Sequence, residues 1–162
     1  MDADRPDIDG RTGWMVVLAA FTATFMVFGV AYSFGAVFTE LRVEFDANKA
    51  TVSGFFAITT FLYFVVGAFT GRIGDHVGPA PLLRAGAVAM GVGLIATSRV
   101  NSIWLGFLTY GVGVGIGVAC AYVPTVAAVG GWFERDRAKA LGVAVAGIGI
   151  GTLVGAPAAD AL

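Results

Sequence analysis

Charge is absent from most of this chain in long unbroken stretches, and that absence constrains the fold more than any motif. Uncharged runs cover residues 12–39, 50–71, 85–98, 100–133 and 140–159 of the 162. A helix of about 20 apolar residues spans a bilayer, and four of the runs reach that length unaided. The third reaches it if its helix begins at Pro81 and the Arg84 side chain snorkels back to the interface. Five spans follow, over residues 14–39, 50–71, 81–98, 102–126 and 138–159, after a polar tail of residues 1–13. The reading is an all-α integral membrane protein. Pro124 and the Gly130-Gly131 pair predict that the fourth helix ends ahead of the charged cluster at Glu134. The first run is long for a signal peptide, and an acidic stretch precedes it, so it is retained as a helix.

Composition removes several function classes. The ten basic and eleven acidic residues leave a net charge of -1, which gives no basic surface for nucleic acid. A lone cysteine, Cys120, and a lone histidine, His76, supply neither a disulfide framework nor a structural metal site. The chain carries no Ser-His-Asp set, no H-E-x-x-H and no cluster of intramembrane carboxylates, so neither an enzyme nor a cofactor is expected. Basic residues are split unevenly between the two sides, seven in the tail and the loops after spans 2 and 4 against three in the other loops. That asymmetry predicts a cytoplasmic N-terminus for a multi-pass protein of the cell membrane.

Glycines mark where helices approach one another. Gly111, Gly113, Gly115 and Gly117 fall in span 4, and Gly147, Gly151 and Gly155 recur at four-residue spacing in span 5. Both sets are smooth stripes for close packing, or surfaces that rock during alternating access. The span 5 stripe is expected to need a sixth helix as cover.

Between spans 2 and 3 the chain reads Gly71-Arg72-Ile73-Gly74-Asp75-His76-Val77-Gly78. Two glycines permit a tight reversal, and an Asp there can cap a helix or pair with an Arg. This G-x-x-x-D-x-x-G pattern resembles the loop 2-3 motif of the major facilitator superfamily, which implies a conformational latch carried by Gly71, Asp75 and Gly78. Pro79, Ala80 and His76 stand where that motif has basic residues. Asp9-Gly10-Arg11-Thr12-Gly13-Trp14 and Ser33-Phe34-Gly35 resemble the first span of monocarboxylate transporters. The stretch from Leu108-Thr109-Tyr110-Gly111 through Tyr122-Val123-Pro124, Trp132-Phe133, Arg137, Ala140 and Gly142 to Ala146-Gly147, with Gly151 and Pro157, resembles their second signature, with Arg137 and Gly142 in its loop 4-5 part. Asp136 and Lys139 depart from it, standing where an Arg and an aliphatic residue are usual.

The resemblance implies spans 1 to 5 of a twelve-helix transporter of small carboxylates such as lactate or pyruvate, coupled to a proton, working by alternating access. Its partners would be the carboxylate, the proton, the lipid bilayer and a C-terminal half absent from this sequence. An oxalate and formate type of exchanger, or a short membrane scaffold, are the alternatives. The family's frequent span 1 lysine aligns with Tyr32, and no charge falls near the middle of any span. Neutral donors are therefore the candidates for substrate: Tyr32 and Tyr122 first, then Tyr63 and Tyr110, with Thr59, Thr60 and Asn101 weaker. The simpler alternative for each tyrosine is packing or an interfacial belt.

Overall fold

The computed structural model describes residues 9–44 and 48–160; side chains are described for those positions except 36–44, 55 and 160. The acidic tail ahead of Asp9, with Arg5, lies outside the described residues. The architecture is a bundle of five helices, α1 (Arg11–Glu44), α2 (Lys49–Val77), α3 (Pro79–Thr97), α4 (Ile103–Trp132) and α5 (Arg137–Asp160), with no strand among the described residues. All five contain a segment long and apolar enough to cross a membrane, in accord with the five-span reading. The physical reason is that hydrocarbon offers backbone groups no partner, so an uncharged run must satisfy them internally, as a helix does. Large apolar side chains accordingly stay on the outside, with Trp104 and Leu153 each 75% exposed.

The helices overrun the charge-free segments, and two local expectations need correction. The Gly71–Gly78 segment is not a loop: Gly71 and Asp75 lie in the last two turns of α2, and the reversal into α3 is made by Gly78 alone. Gly78 adopts φ 81° and ψ 166°, and its N–H donates to the Gly74 carbonyl at 2.9 Å. A positive φ is cheap only for glycine, and Pro79 then opens α3 at a position where its missing N–H costs nothing. Likewise α4 overruns the span's approximate bound at 126, running through Pro124 and the glycine pair to Trp132, and ends ahead of Glu134 as the sequence predicts. An early stop would expose carbonyls to lipid, whereas one missing N–H inside a packed helix costs less. Pro124 is buried, and a Cβ on Gly74 of α2 would lie 3.1 Å from its Cβ. Nothing in the residue pattern signals the π-helical turn Phe107–Val112 within α4. There Thr109 and Thr97 of α3 join their hydroxyls at 2.9 Å.

Glycine sets the packing. Helix α4 is the most enclosed. A Cβ on Gly113 would meet the Gly93 Cα of α3 at 2.6 Å, and one on Gly115 would meet the Thr59 carbonyl of α2 at 3.0 Å. The most extensive interface pairs α1 with α5. Along it Gly147 faces the Phe21 carbonyl and Thr24 hydroxyl, Gly151 faces the Phe25 carbonyl, and a Cβ on Gly155 would lie 2.6 Å from the Gly29 carbonyl. The Thr24 hydroxyl donates across this seam to the Ala144 carbonyl at 2.7 Å. The stripe of α5 is thus covered by α1, contrary to the expectation that a sixth helix was needed. Two apolar cores result. One, around Val27, Phe28, Phe34, Val114 and Val118, fills the middle of the bundle, and the other, around Val17, Val129, Phe133 and Ala144, closes the end where α1 begins and α4 finishes.

Candidate functional site

Side chains from three helices leave a cavity of about 280 Å³ between them. Helix α1 supplies Phe28, Ala31 and Tyr32, α2 supplies Phe56, Thr59, Thr60, Tyr63 and Phe64, and α4 supplies Val118. The α2 contribution follows from helical spacing, since residues three, four, seven and eight positions apart share one face. Among the described residues no charged side chain lines the cavity, and the polar groups that do are the hydroxyls of Tyr32, Tyr63, Thr59 and Thr60. The rings interlock. Phe28 stacks on Tyr32 with centroids 5.9 Å apart, and meets Tyr63 and Tyr122 edge-on at 6.3 and 5.3 Å. Phe56 closes on Tyr32 at 5.7 Å.

Tyr32 therefore stands in the wall, whereas Tyr122 stands behind it, half-buried, touching the wall through Phe28 and through Tyr63 at 5.9 Å. Tyr110 is elsewhere: it is buried among α1 and α4 side chains, and its hydroxyl donates to the Ala31 carbonyl at 3.4 Å. Asn101 is exposed in the α3–α4 connection. Phe28 and Phe56 are wall residues that a search for hydrogen-bond donors passes over. The signal that finds them is their register, Phe28 one turn from Tyr32 and Phe56 two turns from Tyr63.

A second assembly forms at the end where α1 begins. The Asp9 carboxylate accepts the backbone N–H groups of Arg135 and Asp136 at 3.1 and 3.2 Å, while the Asp9 N–H donates to the Trp132 carbonyl at 3.1 Å. Asp9 has φ 59°, a left-handed conformation that Asp tolerates better than most residues. The Arg135 N–H, ahead of the other backbone donors, holds the Asp9 carboxyl below its ordinary value of 3.8. Next to it Trp14 meets Phe133 edge-on at 5.4 Å, and a Cβ on Gly13 would lie 3.0 Å from that phenyl ring. The Lys139 ammonium sits 5.2 Å from the Trp14 ring centroid, a cation–π contact. Asp9–Trp14 and Trp132–Lys139, parts of the two signature segments more than 110 residues apart in the chain, thus meet as one unit. Lys139, a departure from the aliphatic residue usual there, uses its charge on Trp14.

Not every residue singled out in the sequence joins these two assemblies. Asp75 is exposed near the end of α2. Arg137 and Gly142 are in the first turns of α5 rather than in a loop; the Arg137 guanidinium lies against Gly130, and Gly142 has nothing within 4 Å of the place a Cβ would take. Sequence reasoning treated Asp9 as part of an acidic tail and a motif, and missed that its carboxylate binds the α4–α5 connection.

The sequence is similar over most of its length to known proteins. The chain is 33% identical to monocarboxylate transporter 13 of Rattus norvegicus, over 92% of this chain and 35% of that protein. It is 32% identical to monocarboxylate transporter 12 of Xenopus laevis, over 95% of this chain and 34% of that protein. A fungal relative, the fujikurins efflux protein of Gibberella fujikuroi, is 31% identical over 94% of this chain and 33% of its own length. The chain spans about a third of the length of these relatives. Residues 20–162 match the family model described as Major Facilitator Superfamily, and with five membrane-length helices packed through glycine seams around a cavity, the chain belongs to that superfamily.

Proposed function

We propose that this chain forms the N-terminal portion of a secondary transporter for small carboxylates, coupled to a proton and working by alternating access in the cell membrane, with its N-terminus in the cytoplasm. The observation that carries the reading is similarity over more than nine-tenths of the chain to proteins named monocarboxylate transporters. The cavity supports it. It is bounded by hydroxyl-bearing rings that can donate to a carboxylate without the desolvation cost of a buried cation. Tyr32 would contact substrate directly, and Tyr122 would hold Phe28 and Tyr63 in place and donate when the cavity closes. A charge to balance the carboxylate would come from a second half of the protein.

The test is uptake by the native gene product in proteoliposomes. Saturable uptake of lactate or pyruvate that rises when the outside is acidified supports the reading; indifference of all carboxylate fluxes to the pH gradient removes the proton, and no flux removes the function. Asp75, exposed near the Gly78 reversal, would act as the latch. Its substitution Asp75→Asn is expected to slow turnover severalfold with little change in half-saturation, because the carboxylate is remote from the cavity. A large rise in half-saturation at unchanged turnover would place its role in binding instead.

A further inference from the structure

Among the described residues, one buried hydroxyl stands apart from the rest. Thr24 and Thr70 are buried, and each donates to a carbonyl of a neighbouring helix, Ala144 at 2.7 Å and Ala119 at 2.9 Å. Thr125 is 6% exposed, and its hydroxyl oxygen, shut off from solvent, has no hydrogen-bond partner among those residues. A buried hydroxyl without a partner destabilises the conformation that holds it. The helix itself does not help. Thr97 and Thr152 donate to the carbonyl four residues back at 2.7 and 2.8 Å, but Thr125 makes no such bond to Ala121. Pro124, next to it, cannot donate to the Cys120 carbonyl and its ring crowds that carbonyl, which weakens α4 at this turn. Helical spacing sets Thr125 on one face with Val118, Ala121 and Val129, between the two apolar cores in which α4 packs on α1. In the same turn is Tyr122, half-buried against Phe28 and Tyr63 behind the cavity wall.

We infer that Thr125 is a positioning residue for Tyr122: its hydroxyl gains a carbonyl partner when the Cys120–Thr125 turn of α4 shifts and brings the Tyr122 hydroxyl from behind the wall to the substrate carboxylate. The inference rests on the carboxylate-transport reading above, in which Tyr122 donates once the cavity closes, and names the element that moves it. A shift between two conformations needs an interaction that differs between them. A hydroxyl orphaned while Tyr122 is withdrawn and bonded once it is engaged supplies that difference, and it narrows the free-energy gap that substrate binding has to close.

The experiment compares the native gene product with Thr125→Val and Thr125→Ser, each also combined with Tyr122→Phe. It reads thermal unfolding in detergent without substrate, and lactate uptake in proteoliposomes at matched protein levels. Valine keeps the shape of threonine and removes the orphaned hydroxyl, so Thr125→Val is expected to raise the unfolding midpoint. It should also raise half-saturation for lactate severalfold, because the engaged form becomes rarer. Thr125→Ser, which restores a hydroxyl, should bring half-saturation back. In the Tyr122→Phe background Thr125→Val should add little, since the two act on one step. Stability and uptake thus move in opposite directions, whereas plain loss of packing lowers both. A lower midpoint for Thr125→Val, or its failure to fold while Thr125→Ser folds, means the hydroxyl is already bonded here and overturns the inference. An unchanged half-saturation, or effects that simply add to those of Tyr122→Phe, overturns it and leaves carboxylate transport standing. Absence of carboxylate uptake by the unaltered protein overturns the transport reading and the inference with it.

Discussion

Helix α1 meets its two lateral neighbours in opposite ways. Against α5 it offers backbone: the carbonyls of Phe21, Phe25 and Gly29 abut Gly147, Gly151 and Gly155, and the seam ends in the Asp9–Trp14–Phe133 assembly. Against α2 it offers the rings of Phe28 and Tyr32, and their bulk props open a cavity. Small residues let backbones touch, and a touching pair has no room to bind anything. Large aromatic residues on both sides of a contact hold the helices apart. The difference teaches that one helix can belong to a rigid pair on one face and to a binding wall on the other, with residue size as the deciding variable.

The sharpest way to break that comparison is to add bulk where backbone meets backbone. Gly151→Val places branched carbon against the Phe25 carbonyl. Overpacking ordinarily costs about 1–3 kcal/mol, and the cost here should exceed that because backbone cannot rotate aside. Loss of monodisperse protein in detergent is expected. Gly149→Val, two residues away at an exposed position with nothing within 4 Å of a Cβ, should be well tolerated. If both variants behave alike, the α1–α5 seam is not the rigid element.

Next in size is Phe133→Ala. The ring is 2% exposed and wedged between Gly13 and Trp14, so its removal should cost about 3–5 kcal/mol. Thermal unfolding in detergent checks this, and an unchanged midpoint would mean that the assembly at the start of α1 is ornamental to stability.

The two regions also differed in how far the sequence disclosed them. Helices were legible because the absence of charge over membrane-spanning lengths leaves the backbone no alternative, and the glycine stripes correctly marked helix contacts. Which helix a stripe faces was not legible, since Gly147, Gly151 and Gly155 say only that something approaches. The cavity was half legible: its tyrosines were found by asking for donors, while Phe28 and Phe56 emerge only once α1 and α2 are in register. The Asp9 contact could not be read at all, because its partners are backbone N–H groups of Arg135 and Asp136, and those carry no side-chain signal. Helix ends failed for a related reason. Gly71 and Pro124 are punctuation in water, but in a packed bundle each finds a neighbour, Val123 for Gly71 and Gly74 for Pro124.

A smaller effect separates the seam's polar end from its apolar length. The Asp9 carboxyl is held below its ordinary value of 3.8 in the folded protein, so it favours folding fully above that value. The contribution disappears as pH falls through the lower, folded-state value. Asp9→Asn should therefore lower the unfolding midpoint at neutral pH, and the two proteins should converge in acid. A difference that persists or widens below 3.8 would show that the hydrogen bonds rather than the charge do the stabilising.

The smallest expected change in stability is in the cavity, and it is the one that gives the comparison functional meaning. Tyr122→Phe removes one hydroxyl from a half-buried ring and keeps its contacts with Phe28 and Tyr63. A substitution that preserves packing usually stays within about ±0.5 kcal/mol, so the unfolding midpoint should hardly move. If the hydroxyl reaches the substrate carboxylate, losing one hydrogen bond to a charged group, worth about 1.5–3 kcal/mol, raises half-saturation by about ten- to a hundredfold. Tyr32→Phe, in the wall itself, should do at least as much. Seam variants should show the reverse signature, a lower midpoint with unaltered half-saturation in whatever protein survives. Were Tyr122→Phe to destabilise the bundle as Phe133→Ala does, the ring would be a packing element and the wall would have to be drawn without it.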